Sequence, residues 1–288
     1  MIDLLLFGLI WGVSISFIAV ALGTTWRVVG MLDFGLAGVY AVVAYTLLYV
    51  YERLQWPIWA AIAVALVAGP LLQGAIYQLL YRRFLESQKP LAVLVLLGLA
   101  VLYVCENVIA LGFGSAGQLV LTERTPRLQF AGIDLTLIDA ISIASLCGVV
   151  VVLQVLFHFT GVGLALRGSA SNAVLASVFG VQLSRVRLAI FSMSGFLIAV
   201  PAVLTSLYEP ITPSGGFTPL LFGFAALVVA SVRTGMGVFA HALAGVGLGL
   251  LTGLSLLVVP SQWQLAIPFG VMLLVTAVRK NRPVQRSV

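Results

Sequence analysis

The 288-residue chain is 61% hydrophobic and 8% charged, with a mean hydropathy of +1.16. Ordinary soluble domains hold roughly 45–50% apolar and about 25% charged residues, so a soluble enzyme or a nucleic-acid-binding domain is excluded. The net charge of +6 fits cytoplasmic loops rich in Lys and Arg in a membrane protein, and no nucleic-acid partner is expected. Membrane barrels alternate polar and apolar residues. This chain is instead built from long apolar runs, which predicts an all-α, polytopic membrane protein.

A spanning helix needs about 20 mostly apolar residues. In chain order the spans are Leu4–Thr25, Phe34–Tyr51, Leu54–Tyr81 (with Pro57 and Pro70), Pro90–Thr122 (interrupted by Glu106), Ala140–Leu166 and Leu188–Tyr208 (with Pro201). Pro210–Val232 is proline-rich at its front, so its helix is expected to start near Phe217; it is the shortest span. Thr234–Val278 has no formal charge. As one helix it would far exceed the roughly 30 Å hydrocarbon core, so it folds back, with Pro260-Ser261-Gln262-Trp263 as the turn. The count is nine spans, in a range of eight to ten.

Nine spans with the N-terminus outside and the C-terminus cytoplasmic place 12 of the 15 Lys and Arg inside. Only Arg53, Arg124 and Arg127 remain outside, as the positive-inside rule requires. The outer segment from about Gly114 to Asp139 is the longest external connection, and its alternation around Leu128–Leu137 fits a small hairpin. Asp3 is the one early charge and no basic stretch precedes the first span, so no cleavable signal peptide is expected. Residues 1–288 read as a single membrane domain.

Catalytic patterns are missing. His158 and His241 are isolated, no P-loop occurs, and no Asp lies in the middle of a span. Cys105 and Cys147 lie inside apolar runs and read as small core hydrophobes, not as a metal or disulfide pair. Glu106 is the acid in the middle of a run. A carboxylate at that depth suggests an ion or substrate path; the plainer reading is a packing residue paired with Asn107 or a neighbouring span. Gly235, Gly237, Gly245, Gly247, Gly249 and Gly253 crowd the eighth span, and such residues serve either a close helix crossing or a narrow path.

The cytoplasmic loop 161–187 is bounded by Arg167, Arg185 and Arg187, yet Gly168–Ser184 holds no charge. Ser169 or Ser171 is expected to cap a short helix, with Ala173, Ala176, Val178 and Phe179 as its small and apolar positions and Gly180 as its end. An uncharged, partly apolar cytoplasmic helix reads as a partner site, unless it folds back on its own domain.

This loop resembles the coupling loop of ABC importer permeases of the branched-chain amino acid (LivH-type) family. The matching residues are Gly163, Ala165-Leu166-Arg167, Asn172, Ala176, Gly180-Val181 and Ser184-Arg185-Val186, leading to Phe191 and Ser194-Gly195. Gly8, Gly12, Asp33-Phe34, Ala44-Tyr45, Tyr81-Arg82-Arg83, Gly98, Glu106-Asn107 and Gly235-x-Gly237 resemble the family in the same order. After Asp33-Phe34 the chain reads Gly35-Leu36-Ala37-Gly38 and lacks the family's polar cluster.

The resemblance implies the membrane subunit of an importer of branched-chain amino acids or related amides and carboxylates, in a bacterial inner membrane. Its partners would be two cytoplasmic ATPases carrying ATP and Mg, a second, homologous permease and an external solute-binding protein. The chain itself would hydrolyse nothing and bind no cofactor. Arg167, Asn172, Ala173, Ala176, Phe179, Gly180 and Val181 would couple to the ATPase, and Asp33, Phe34, Glu106, Asn107, Ser194, Gly235 and Gly237 would flank the path. A secondary carrier or channel acting without an ATPase is the competing class; it predicts several linked ionisable groups within the spans.

Overall fold

The computed structural model describes residues 2–87, 90–120, 127–130, 133–231, 237–257 and 263–280. Helix α1, Ile2–Val29, runs into Gly30, whose φ of 76° ends it. Helix α2, Gly35–Leu48, continues through a π-helical turn at Tyr49–Arg53. Helix α3, Ile58–Ile76, passes through a second π turn, Tyr77–Tyr81, into α4, Arg82–Glu86. Helix α5 spans Leu91–Phe113, α6 Leu137–Phe159, α7 Gly161–Ser171, α8 Ala173–Val178 and α9 Leu183–Ser206. Three helices complete the fold: α10, Phe217–Ala230, α11, Val238–Ser255, and α12, Ala266–Lys280.

Seven helical stretches among the described residues are long and apolar enough to cross a membrane. The predicted seventh and ninth spans correspond to shorter apolar helices, Phe217–Ala230 and Ala266–Ala277. The first begins at Phe217 as expected. At 1.5 Å per residue its 14 residues reach about 21 Å, less than the hydrocarbon core. The turn expected at residues 260–263 lies mostly outside the described residues.

Helix α2 is the centre of the fold. It is apolar on every side and buried along nearly its whole length, as such a helix must be, and α3, α5 and α9 pack around it. Close approach relies on missing Cβ atoms. A Cβ on Gly69 would lie 2.5 Å from the Gly195 carbonyl oxygen, fixing the α3–α9 crossing. Gly38 meets Leu102 and Cys105 across α2–α5. Gly249 and Gly253 meet Gly8 and Gly12 across α1–α11, where the Ser16 hydroxyl also donates to the Ala242 carbonyl at 2.7 Å. Gly245, Gly249 and Gly253 of the eighth span therefore make an intramolecular crossing, while Gly247 meets nothing within 4 Å. In lipid, dispersion and hydrogen bonding at such contacts replace the hydrophobic drive between helices.

Several expectations need correction. The fourth run stops being helical at Phe113, because Gly114 adopts φ 84°. The fifth stops at Phe159 rather than Leu166; Thr160 then restarts the chain as α7, its hydroxyl accepting from the Gly163 amide at 3.1 Å. Cys147 is exposed on α6 and not in the core; Cys105 is half-buried. The expected hairpin forms, with β1, Arg127–Phe130, antiparallel to β2, Ile133–Thr136. A bridge between Gln118 and Ile211 joins the loop after α5 to that after α9.

Candidate functional site

The loop between α6 and α9 folds into a corner and a short helix. A Cβ on Gly163 would lie 2.4 Å from the Leu156 and Phe157 carbonyl oxygens, so only glycine fits the corner. The Arg167 guanidinium donates to the Phe157 carbonyl, one of the four that a helix end leaves without an intrahelical partner. The cation also sits at the negative end of α6. Arg167 thus holds the platform on which α8 stands.

Asn172, and neither Ser169 nor Ser171, caps α8: its Oδ1 accepts from the Leu175 amide at 3.0 Å. The two serine hydroxyls bond back to the Leu166 and Arg167 carbonyls within α7. Gly180 ends the element at φ 85°. The Val181 amide bonds the Ala176 carbonyl and the Gly180 amide the Ser177 carbonyl, each at 3.0 Å, a Schellman closure. Ala176 is buried, while Val174, Leu175, Val178 and Phe179 are 75, 53, 78 and 80% exposed. The loop does not fold back on its own domain; it displays a charge-free apolar knob. Val174 and Leu175 were not singled out from sequence, although both fall within the uncharged stretch.

A second cluster lies inside the subunit. Asp33, between the first two spans, is fully buried. Its Oδ1 accepts from the Gly35 amide at 3.0 Å and from the Tyr81 hydroxyl at 2.7 Å, and its Oδ2 accepts from Gln73 Nε2. Tyr81 reaches it from the π turn that closes α3, where Tyr77 and Tyr81 also pack on Phe191 of α9. Burial pushes the Asp33 pKa up to about 6, opposed by the three donors. The carboxylate also faces the positive N-terminus of α2. Gln73 Oε1 is buried without a hydrogen-bond partner among the described residues. Gln73 stands inside an apolar run, which is the signal that could have singled it out.

The remaining expected path residues do not converge on that cluster. Phe34 is half-buried, its backbone close to Gly98 of α5. Ser194 is fully buried, its hydroxyl bonded to the Phe191 carbonyl. Gly237 precedes α11, its carbonyl bonded by His241 Nδ1, and Gly235 lies outside the described residues. Asn107 sits on the outer side of α5, among the exposed Tyr103, Val104, Val108 and Leu111, and Glu106 is half-buried at the edge of that face. Asn107 donates to the Tyr103 carbonyl of its own helix at 2.7 Å, and Glu106 makes no hydrogen bond or ion pair among the described residues. The pairing of Glu106 with Asn107 or a neighbouring span is therefore not observed among the described residues. A polar pair on the outside of an apolar helix is costly against lipid, so this face suits a partner or an aqueous path.

A family profile described as "Branched-chain amino acid transport system / permease component" matches residues 4–276. The ribose import permease protein RbsC of Bacillus subtilis is 34% identical over 130 residues, which is 43% of this chain and 40% of that protein. The high-affinity branched-chain amino acid transport system permease protein LivH of Salmonella typhimurium is 22% identical over 94% of this chain and 91% of its own length. A solved structure, "PsaBC from Streptococcus pneumoniae in complex with Fab", has a TM-score of 0.50 and 14% identity, covering 93% of this chain and 89% of that one. At that identity the likeness shows the fold alone.

Proposed function

The chain belongs to the family of branched-chain amino acid transport system permease components, and from that premise we propose that it is the membrane subunit of an ATP-driven importer in a bacterial inner membrane. The observation that carries the reading is the apolar knob of α8. Four exposed apolar side chains on a capped helix between α7 and α9 form a surface that water disfavours. A cytoplasmic ATPase subunit would seat on it and, on closing with ATP, push it against α6 through the Arg167 clasp. Alternating access would follow. The full nine spans, with the N-terminus outside, belong to this reading, because they put the knob on the cytoplasmic side.

A second, homologous permease would cover the outer face of α5 and bring Glu106 and Asn107 to the path between the two subunits. The substrate would be a branched-chain amino acid or a related amide or carboxylate, delivered by an external solute-binding protein. Gly35–Gly38 offers no polar side chain to that path, so solutes with a sizeable apolar part should be preferred and selectivity should rest mainly in the binding protein. The near full-length match to LivH supports this class over the sugar suggested by the shorter match to RbsC.

The test is F179D in the assembled transporter. A buried charge without a partner is strongly disfavoured, so the ATPase should no longer co-purify and ATP-driven leucine uptake into vesicles should cease, while the permease keeps its unfolding temperature. Undiminished association and uptake would refute the dock. Uptake of ribose in place of leucine would refute the substrate class alone.

A further inference from the structure

We propose that the cleft between the end of α1 and α7 binds the phosphate-bearing headgroup of an anionic phospholipid. The inference is independent of the transport reading and needs only a chain that spans a membrane. Arg27 and Arg167 line one open cleft of about 500 Å³ together with Trp26, Ala170 and Ser171. Two guanidiniums on one cleft repel each other and favour an anion between them. Their planar forks suit phosphate oxygens. Arg167 uses one N–H on the Phe157 carbonyl, which fixes the group beside the cleft and leaves its other donors for a ligand.

Two further observations place the ligand at a bilayer surface. Trp26 is exposed in the last turn of a membrane-crossing helix, where indole rings sit at headgroup level. Phe159 and Leu164, at the α6–α7 corner, are 84% and 65% exposed, a surface that acyl chains would cover and water would not. Behind the cleft the same two arginines line a smaller cavity with His241. The His241 ring is buried, and its Nε2 has no hydrogen-bond partner among the described residues. That cavity, about 30 Å³, has room for water only, so the headgroup belongs in the open cleft. Basic pockets between membrane helices are suited to anionic headgroups.

The experiment is thermal unfolding of the purified full chain in a mild detergent, titrated separately with phosphatidylglycerol, phosphatidylcholine and inorganic phosphate. Phosphatidylglycerol should raise the unfolding temperature beyond the effect of phosphatidylcholine, and inorganic phosphate should not. An arginine near an anionic lipid is worth about a fivefold change in affinity, so R27Q should weaken the phosphatidylglycerol response about fivefold. R27Q combined with R167Q should weaken it about 30-fold and leave the phosphatidylcholine response unchanged. Arg167 also clasps α6, so R27Q alone decides the matter if the double variant fails to fold. Equal responses to the two lipids, or an unaltered response in R27Q, would overturn the site. A full shift with inorganic phosphate alone would overturn its assignment to a lipid.

Discussion

Replacing Gly249 by alanine tests how α1 and α11 are held together. The added Cβ would lie 2.1 Å from Gly12 Cα and 2.5 Å from the Gly8 carbonyl oxygen. Non-bonded carbons settle at about 3.5–4.0 Å, and the obstructing atoms are backbone, so no side chain can turn aside. The helices must part by about 1.5 Å. At that gap most dispersion across the crossing is weakened, and the 2.7 Å bond from Ser16 to the Ala242 carbonyl stretches beyond hydrogen-bonding range. Overpacking costs about 1–3 kcal/mol, and a backbone clash belongs at the upper end. Gly247 lies two residues away on the same helix with nothing within 4 Å of its would-be Cβ. There alanine should stabilise by about 0.5–1 kcal/mol, through the backbone entropy that glycine loses on folding. The two variants should therefore differ by roughly 3 kcal/mol in denaturant unfolding of the purified permease. Equal stabilities for G249A and G247A would show that the crossing is not close-packed and would refute the reasoning.

Two further outcomes follow from the site. The folded-state pKa of Asp33, about 6, lies above its ordinary value of 3.8, so the folded chain binds this proton more tightly than the unfolded one. The resulting stabilisation is complete below about pH 4 and is lost as pH rises through 6; it is on the order of 3 kcal/mol. D33N should remove this slope, seen as a flatter difference in unfolding temperature between pH 4 and 7 than in the wild type; identical slopes would place the carboxylate in water. N172A should remove the cap of α8 at a cost of about 1 kcal/mol. Amide exchange across residues 173–178 should then quicken about fivefold, with α9 unchanged, and an unaltered rate would deny the cap.

The sequence by itself determined the membrane, the helical class and the extent of the uncharged loop, while the exposure of its apolar side chains came from the tertiary structure. The first three follow from local composition: apolar runs of spanning length, arginines on alternate connections, and a charge-free stretch ended by Gly180. Which face of each helix turns inward was a matter for the tertiary structure. When every side of a helix is apolar, periodicity no longer separates core from surface. Hence the sequence could not say that Asn107 faces outward, that Cys147 is exposed, or that Gly249 packs on α1 while Gly247 packs on nothing. Nor could it show that Asp33, placed between two runs, would be drawn inside, because its partners Gln73 and Tyr81 stand 40 and 48 residues away. The choice of Asn172 over two nearby serines was decided by the Arg167 clasp and the Thr160 cap. These start α7 early enough to place both serines inside a helix, where their hydroxyls turn back on its carbonyls, and leave Asn172 at the one extended position between α7 and α8.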